Sequence, residues 1–250
     1  ELGFSKANLT GTFTLSLVVS AVVSPAVGRL IDKGYGRAVF AGGAALASAM
    51  LCLLSQATEI WQFYAIWFVI GVAMSGSLYD ACFAIVTYSL GPDARRAITL
   101  ITLAAGFAGT VSFPSAYFFT EFFGWRIAIL IFAATVAILC IPLILYGSYF
   151  AGLQSKAHAP KSSQTLSEAL SVIQNPRFWF IGVTFLLISV NHGIVISHML
   201  PILHERGLNA GLAVLMASLI GPMQVAGRVT MMAFERHISV YAICVACFIA

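Results

Sequence analysis

A few side chains in this 250-residue sequence can handle a proton or a small anion, and they stand inside long apolar runs. Asp80, with Tyr79 beside it, lies within residues 60–88. Asn191, His192 and His198 lie within 178–201, and Gln224 and Arg228 within 211–232. A carboxyl or an imidazole takes up and releases a proton, and a guanidinium fork fits a carboxylate. A different concentration of charge, Arg29, Asp32, Lys33 and Arg37, sits in "GRLIDKGYGRA" at 28–38, between two apolar runs. Nothing points to covalent catalysis. There is no Gly-x-Ser-x-Gly, and His204-Glu205 lacks the second histidine of a zinc-protease helix. No enzyme activity, cofactor, metal or nucleic-acid partner is expected.

The elements that position these groups follow from composition. Hydrophobic residues make up 60% of the chain, charged residues 9%, and the mean hydropathy is +0.95. Soluble domains spend roughly 25% of their residues on charge. Runs of membrane-crossing length fall at 9–31, 38–55, 60–88, 98–118, 127–147, 178–201 and 211–232, with an eighth beginning near 239. In lipid the backbone must satisfy itself, so only helices or a closed barrel can cross. These runs are too long and continuous for barrel strands. The fold class is therefore an all-α polytopic membrane protein with seven full spans and the start of an eighth. Cys52, Cys82, Cys140, Cys244 and Cys247 all lie in apolar runs and read as small buried hydrophobes.

Alternating spans place the loops on two faces. Arg29, Lys33, Arg37, Arg95, Arg96, Lys156, Lys161, Arg177, Arg228 and Arg236 fall on one face, and Lys6, Arg126 and Arg206 on the other. The positive-inside rule assigns the richer face to the cytoplasm. Glu1 then lies outside, so an earlier span is expected before it.

Residues 152–164, "GLQSKAHAPKSSQ", have linker composition. Thr165-x-x-Glu168 opens a capping-box pattern, and Leu166, Leu170 and Ile173 share a face, so a short interfacial helix is expected there. Across the linker the sequence repeats. "ELGFS" at 1–5 resembles "ERGLN" at 205–209, and "SPAVGRL" at 24–30 resembles "GPMQVAGRV" at 221–229. The offsets, 204 and 199 residues, are about half of a ~400-residue carrier built from two parallel repeats.

Gly28-x-Leu30-x-Asp32-Lys33 followed by Gly36-Arg37, in a loop after a span, resembles the signature of the major facilitator superfamily, with one extra residue before Gly36-Arg37. The resemblance covers essentially the whole chain. It implies a two-bundle carrier in which the first span here is the family's helix two. Helix one and helices ten to twelve are then expected outside the chain. The implied organisation is an N-terminal bundle over 1–147, a cytoplasmic linker over 148–177 and the start of a C-terminal bundle over 178–250. The resemblance also implies that Gly28, Asp32, Lys33, Gly36 and Arg37 form a gating motif. The alternative is an ordinary positive-inside loop.

"GSLYDACFAIVTYSLGPDARRAITL" at 76–100, with "FGWR" at 123–126, resembles the monocarboxylate and oxalate–formate porter branch. Drug antiporters of the superfamily often carry an arginine four residues before the glycine aligned with Gly71; Trp67 stands there. Their Gly-Pro motif is absent from "GFAGTVSFP" at 106–114. The expected activity is secondary transport of a small solute, a monocarboxylate or other organic anion, by alternating access, with H+ as the candidate symported ion. A drug or metabolite efflux carrier is the alternative within the superfamily, and a seven-span receptor-like protein the alternative outside it. A multi-pass monomer in a bacterial inner membrane is expected.

Each candidate has a plainer alternative. Asp80 is either a proton- or substrate-handling carboxyl or a structural acid capped by nearby hydroxyls. Thr99, Thr102, Gly106, Thr110, Phe113 and Tyr117 form a stripe that either lines a cavity or packs against a neighbour. Thr12, Ser16, Ser20, Ser24 and Gly28, spaced by four, read as a packing ridge. Asn191 and His198 share a face while His192 points elsewhere, and each histidine can instead be a neutral, hydrogen-bonded one. Gln224-x-x-x-Arg228 stands where monocarboxylate porters often have an acid and a carboxylate-binding arginine. Arg228 can equally be a loop-edge charge, the repeat partner of Arg29.

Overall fold

The computed structural model describes residues 4–155 and 174–234, and every regular element among them is helical. The helices are α1 Lys6–Leu30, α2 Gly36–Leu54, α3 Ile60–Ser77, α4 Tyr79–Leu90, α5 Ala94–Gly106, α6 Ala108–Thr135, α7 Ile141–Ser155, α8 Pro176–Glu205, α9 Ala210–Ser218 and α10 Ile220–Phe234. The expected interfacial helix after Thr165 and the span beginning near 239 lie outside the described residues.

Local chemistry sets the ends. Ser5 caps α1 by accepting from the Asn8 amide at 3.2 Å, and Asn209 caps α9 by accepting from the Leu212 amide at 2.8 Å. Glu59 and Gln62 form a capping box at the start of α3, with Gln62 Oε1 accepting from the Glu59 amide at 3.1 Å. Gly34, Gly91, Gly124 and Gly207 have φ of 89°, 51°, 78° and 83°, and each stands at a reversal between consecutive spans. Only glycine enters that region without a Cβ penalty. Gly124 (φ 78°, ψ 158°) divides α6 into arms 108–123 and 125–135.

Three spans expected to be continuous are interrupted. The span at 60–88 breaks at Leu78, which is extended (φ −95°, ψ −162°) between α3 and α4. Ser75 and Ser77 donate to the Val72 and Ala73 carbonyls at 2.8 and 2.7 Å, the local competition that bends helices. The span at 98–118 breaks at Phe107, whose amide turns to the Ala104 carbonyl at 3.2 Å. The span at 211–232 breaks at Leu219, three residues before Pro222. In the span at 127–147 the chain widens to a π turn at Val136–Cys140. Pro142 has no N–H to offer Ile138 and its ring crowds that carbonyl. Pro201 lies inside α8, which runs past the expected span end at 201 to Glu205.

The chain forms two compact units, one from Glu1–Leu100 with Phe118–Ala159 and one from Ile101–Tyr117 with Pro160–Ala250. In the first, α3 packs on both α1 and α2 through glycine notches. A Cβ at Gly71 would lie 2.5 Å from the Ser16 carbonyl oxygen, and one at Gly43 would lie 2.9 Å from the Gly76 carbonyl carbon. The ridge of α1 is thus a packing surface where Thr12 and Ser16 lie, 1% and 0% exposed, their hydroxyls returned to the Leu9 and Phe13 carbonyls at 2.7 Å. Ser48 Oγ donates to the Ala133 carbonyl at 2.9 Å and joins α2 to the second arm of α6. Leu54, Ala57 and Phe63 form a buried cluster capped by Phe4, Trp67, Trp125 and Ile129. Large apolar side chains elsewhere are open, such as Val22 at 74% and Phe180 at 76% exposed, as a bilayer-facing surface requires.

Candidate functional site

The charged turn at 31–36 is built on two anchors. Ile31 is 1% exposed, and Gly36 is buried so close to α4 that a Cβ there would lie 2.9 Å from Ile85 Cγ1. Between them Gly34 makes the turn, and a Cβ on it would reach the Tyr88 hydroxyl at 3.9 Å. The extra residue in the signature is absorbed by this left-handed glycine. Asp32, Lys33 and Arg37 are left exposed, and Gly28 is half-buried on α1. Apolar contacts fix the turn on α4 while its charges stay available.

Asp80 stands in the first turn of α4, directly after the break at Leu78. The Leu78 amide donates to the Met74 carbonyl at 3.0 Å, and the ladder resumes with the Cys82 amide on the Leu78 carbonyl at 3.1 Å. The break therefore creates a second helix N-terminus inside one apolar span, where orphan amides and the helix dipole favour a negative group. Asp80 is exposed there, as is Tyr79 at 47%, whose ring lies 5.4 Å from that of Phe83. Asp80 does not share a continuous helix face with Ala73 and Gly76, because the extended Leu78 intervenes.

The remaining candidates belong to the second unit. Asn191, His192 and His198 are exposed on α8, Gln224 is exposed on α10, and Tyr117 is 37% exposed. Among the described residues no hydrogen bond or ion pair joins any two of the candidates. Arg228 is half-buried, and its Nη1 donates to the backbone carbonyl of Thr102. That bond links α10 to α5.

Around that link the polar stripe of residues 99–117 proves to be a packing surface where Gly106 and Thr110 lie. A Cβ at Gly106 would lie 2.7 Å from Val225 Cγ2, and one at Gly221 would lie 2.9 Å from the Gly106 carbonyl oxygen. Thr110 Oγ1 donates to the Ser218 carbonyl at 3.1 Å. In a continuous helix that carbonyl would accept from residue 222, which is proline, so the threonine hydroxyl takes the place of the missing amide.

Two residues of "FGWR" have structural roles that sequence reasoning did not assign. Arg126 donates to the Ser55 and Ala57 carbonyls at 2.5 and 3.1 Å, and its guanidinium lies 4.6 Å from the Trp125 ring centroid. Trp125 joins the apolar cluster of the first unit. The available signal was an arginine two residues after Gly124, at the start of an apolar run. Trp67 is also packing, edge-on to Phe13 at 5.8 Å.

Long apolar helices, several of them broken in mid-span, with Asp80 at one break, are the architecture of a helical membrane protein. A family model described as Major Facilitator Superfamily matches residues 1–250, and the chain belongs to that superfamily. Its members are transporters, which removes the receptor-like alternative. A relative from Mycolicibacterium smegmatis, described as an MFS-type efflux pump, is 32% identical over 130 residues. The matched stretch is 52% of this chain and 30% of that protein. No solved structure matches the chain.

Proposed function

We propose that this chain forms part of a secondary carrier that moves a small organic anion by alternating access, with a proton as the coupling ion and Asp80 as the coupling carboxyl. The supporting observation is the position of Asp80: exposed, in the first turn of a helix that begins within an apolar span. Broken helices of this kind supply backbone ends for solutes and ions at membrane depth. An acid there is costly unless it works on a solute, an ion or a proton. Tyr79 and Tyr117 are proposed as lining groups, and Asn191, His192, His198 and Gln224 as solute or proton contacts of the second unit. We place the N-terminal bundle at 1–147, the cytoplasmic linker at 148–177 and the start of the C-terminal bundle at 178–250. The carrier works as a monomer in a bacterial plasma membrane. The monocarboxylate branch is favoured by the departures from the drug-antiporter pattern at Trp67 and in "GFAGTVSFP".

The test is transport by the full-length carrier in vesicles, with labelled monocarboxylates and an imposed pH gradient. Accumulation should follow the gradient. Asp80→Asn should abolish accumulation but retain downhill exchange, because exchange needs no net proton movement. Accumulation by Asp80→Asn with an unchanged pH profile would return Asp80 to a structural role.

A second reading is efflux of a drug or metabolite, favoured by the description of the mycobacterial relative. Proton-driven extrusion of a lipophilic cationic dye, with no carboxylate uptake, would select it.

A further inference from the structure

We propose that the charged edge of the first unit binds one anionic phospholipid, its phosphate held by Lys33, Arg37 and Arg96 where two turns meet the end of α4. Such a site needs a bilayer but no particular solute.

The end of α4 brings the two turns together. The turn at 31–36 is packed on it through Gly36 against Ile85, with Tyr88 next to Gly34. Directly after Leu90 the chain reverses at Gly91 (φ 51°), passes through a 3₁₀ turn at Gly91–Asp93 and enters α5 on the buried Ala94. Packing thus fixes both turns while their charges point out. Lys33, Arg37 and Arg96 are exposed, as are Arg29 and Arg95. Asp32 and Asp93 are exposed too, but among the described residues neither forms an ion pair with Lys33, Arg37 or Arg96.

Arg96 also stands in the first turn of α5, which contains no acid. Unsatisfied amides and the helix dipole disfavour a cation there and favour an anion. A phosphate among Lys33, Arg37 and Arg96 meets both needs. Basic clusters at the edge of membrane helices hold anionic headgroups in this way. The surface beside the cluster is suited to acyl chains. Leu30 and Tyr35 are exposed next to the charged turn, and Leu100 is exposed one turn beyond Arg96 on α5. From Arg37 down α2, Ala38, Gly42, Ala45 and Ala49 are exposed at spacings of four, three and four. They form a shallow channel on one helix face, with open space over Gly42.

The test uses the purified full-length carrier in dodecyl maltoside, with dioleoyl phosphatidylglycerol as the probe. Phosphatidylglycerol should raise the thermal midpoint by several degrees, and dioleoyl phosphatidylcholine should not. Lys33→Gln, Arg37→Gln and Arg96→Gln should each raise the half-saturating phosphatidylglycerol concentration about fivefold, the scale of one cation at an anionic surface. Arg206→Gln removes an exposed cation elsewhere and should keep the parent's value. Equal shifts with both lipids would overturn the proposal. So would equal losses in Arg206→Gln, which mean diffuse attraction to net charge. Inorganic phosphate should shift nothing; a shift matching that of phosphatidylglycerol would make the ligand a free anion and overturn the lipid site. Native mass spectrometry of the parent needs no variant. One phosphatidylglycerol should survive delipidation in an equimolar mixture of the two lipids, and retention of neither or of both alike would overturn the site. No transport is measured, so the outcome is separate from that for the proposed solute.

Discussion

Arg126 donates to the Ser55 carbonyl at 2.5 Å, so the start of one span holds the end of another 71 residues away. Ser55 is the C-cap of α2, and the second arm of the guanidinium reaches Ala57 at 3.1 Å. Carbonyls at a helix C-terminus are short of donors and sit at the negative end of the helix dipole, so a planar cation serves both needs. Arg126→Ala should lower stability in detergent by about 2 kcal/mol, the scale of hydrogen bonds to a charged group. Arg126→Lys should recover only part, because one ammonium cannot reproduce the planar fork. Thermal unfolding of the purified variants measures both, and a lysine variant as stable as the parent would show that charge alone suffices.

Gly71 bears directly on α1. Any side chain there meets the Ser16 carbonyl oxygen and Val19 Cβ, at 2.5 and 2.9 Å from an ideal Cβ. One of these is backbone and cannot swing aside. Gly71→Val should therefore cost about 1–3 kcal/mol or more through overpacking. Gly42, with nothing within 4 Å of its Cβ position, should accept alanine without loss. Comparing the yields of monodisperse protein for the two variants is sufficient.

Sidedness is open to chemical labelling. Cysteines at Lys33 and Arg95 should react with an impermeant maleimide only from the cytoplasmic side, and one at Thr120 only from outside. These three residues are exposed and lie near the Gly34, Gly91 and Gly124 reversals. Reversed labelling would invert the positive-inside assignment.

Asp32 tests the charged turn. Its neighbours Ile31 and Gly36 carry the packing, so Asp32→Asn should leave insertion and expression intact. If the turn acts as a gate latch, transport should slow by about an order of magnitude, the effect expected of a lost gating contact. Transport at the parent's rate would reduce the motif to a topology signal.

Much of this protein is legible without coordinates. Apolar length and the scarcity of charge dictate membrane helices, because lipid offers the backbone no partner. The caps at Ser5, Glu59 and Asn209, and the reversals at Gly34, Gly91, Gly124 and Gly207, are local chemistry written in a few adjacent residues. The signature around Asp32 led to the family that the whole chain matches. What the sequence did not disclose is where the spans break and what fills the breaks. Hydropathy does not distinguish a continuous apolar helix from one interrupted at Leu78, Phe107 or Leu219, since the same residues face the same lipid. The stripe that includes Gly106 and Thr110 is compatible with a cavity wall, though small residues more often mark a helix contact. Only the arrival of Gly221 and the Ser218 carbonyl decides, because a proline-freed carbonyl needs a donor from another helix. Arg126 and Arg228 were visible as charges, but their acceptors are backbone carbonyls 71 and 126 residues away. A carbonyl has no residue type of its own, so tertiary structure alone tells which one an arginine will find.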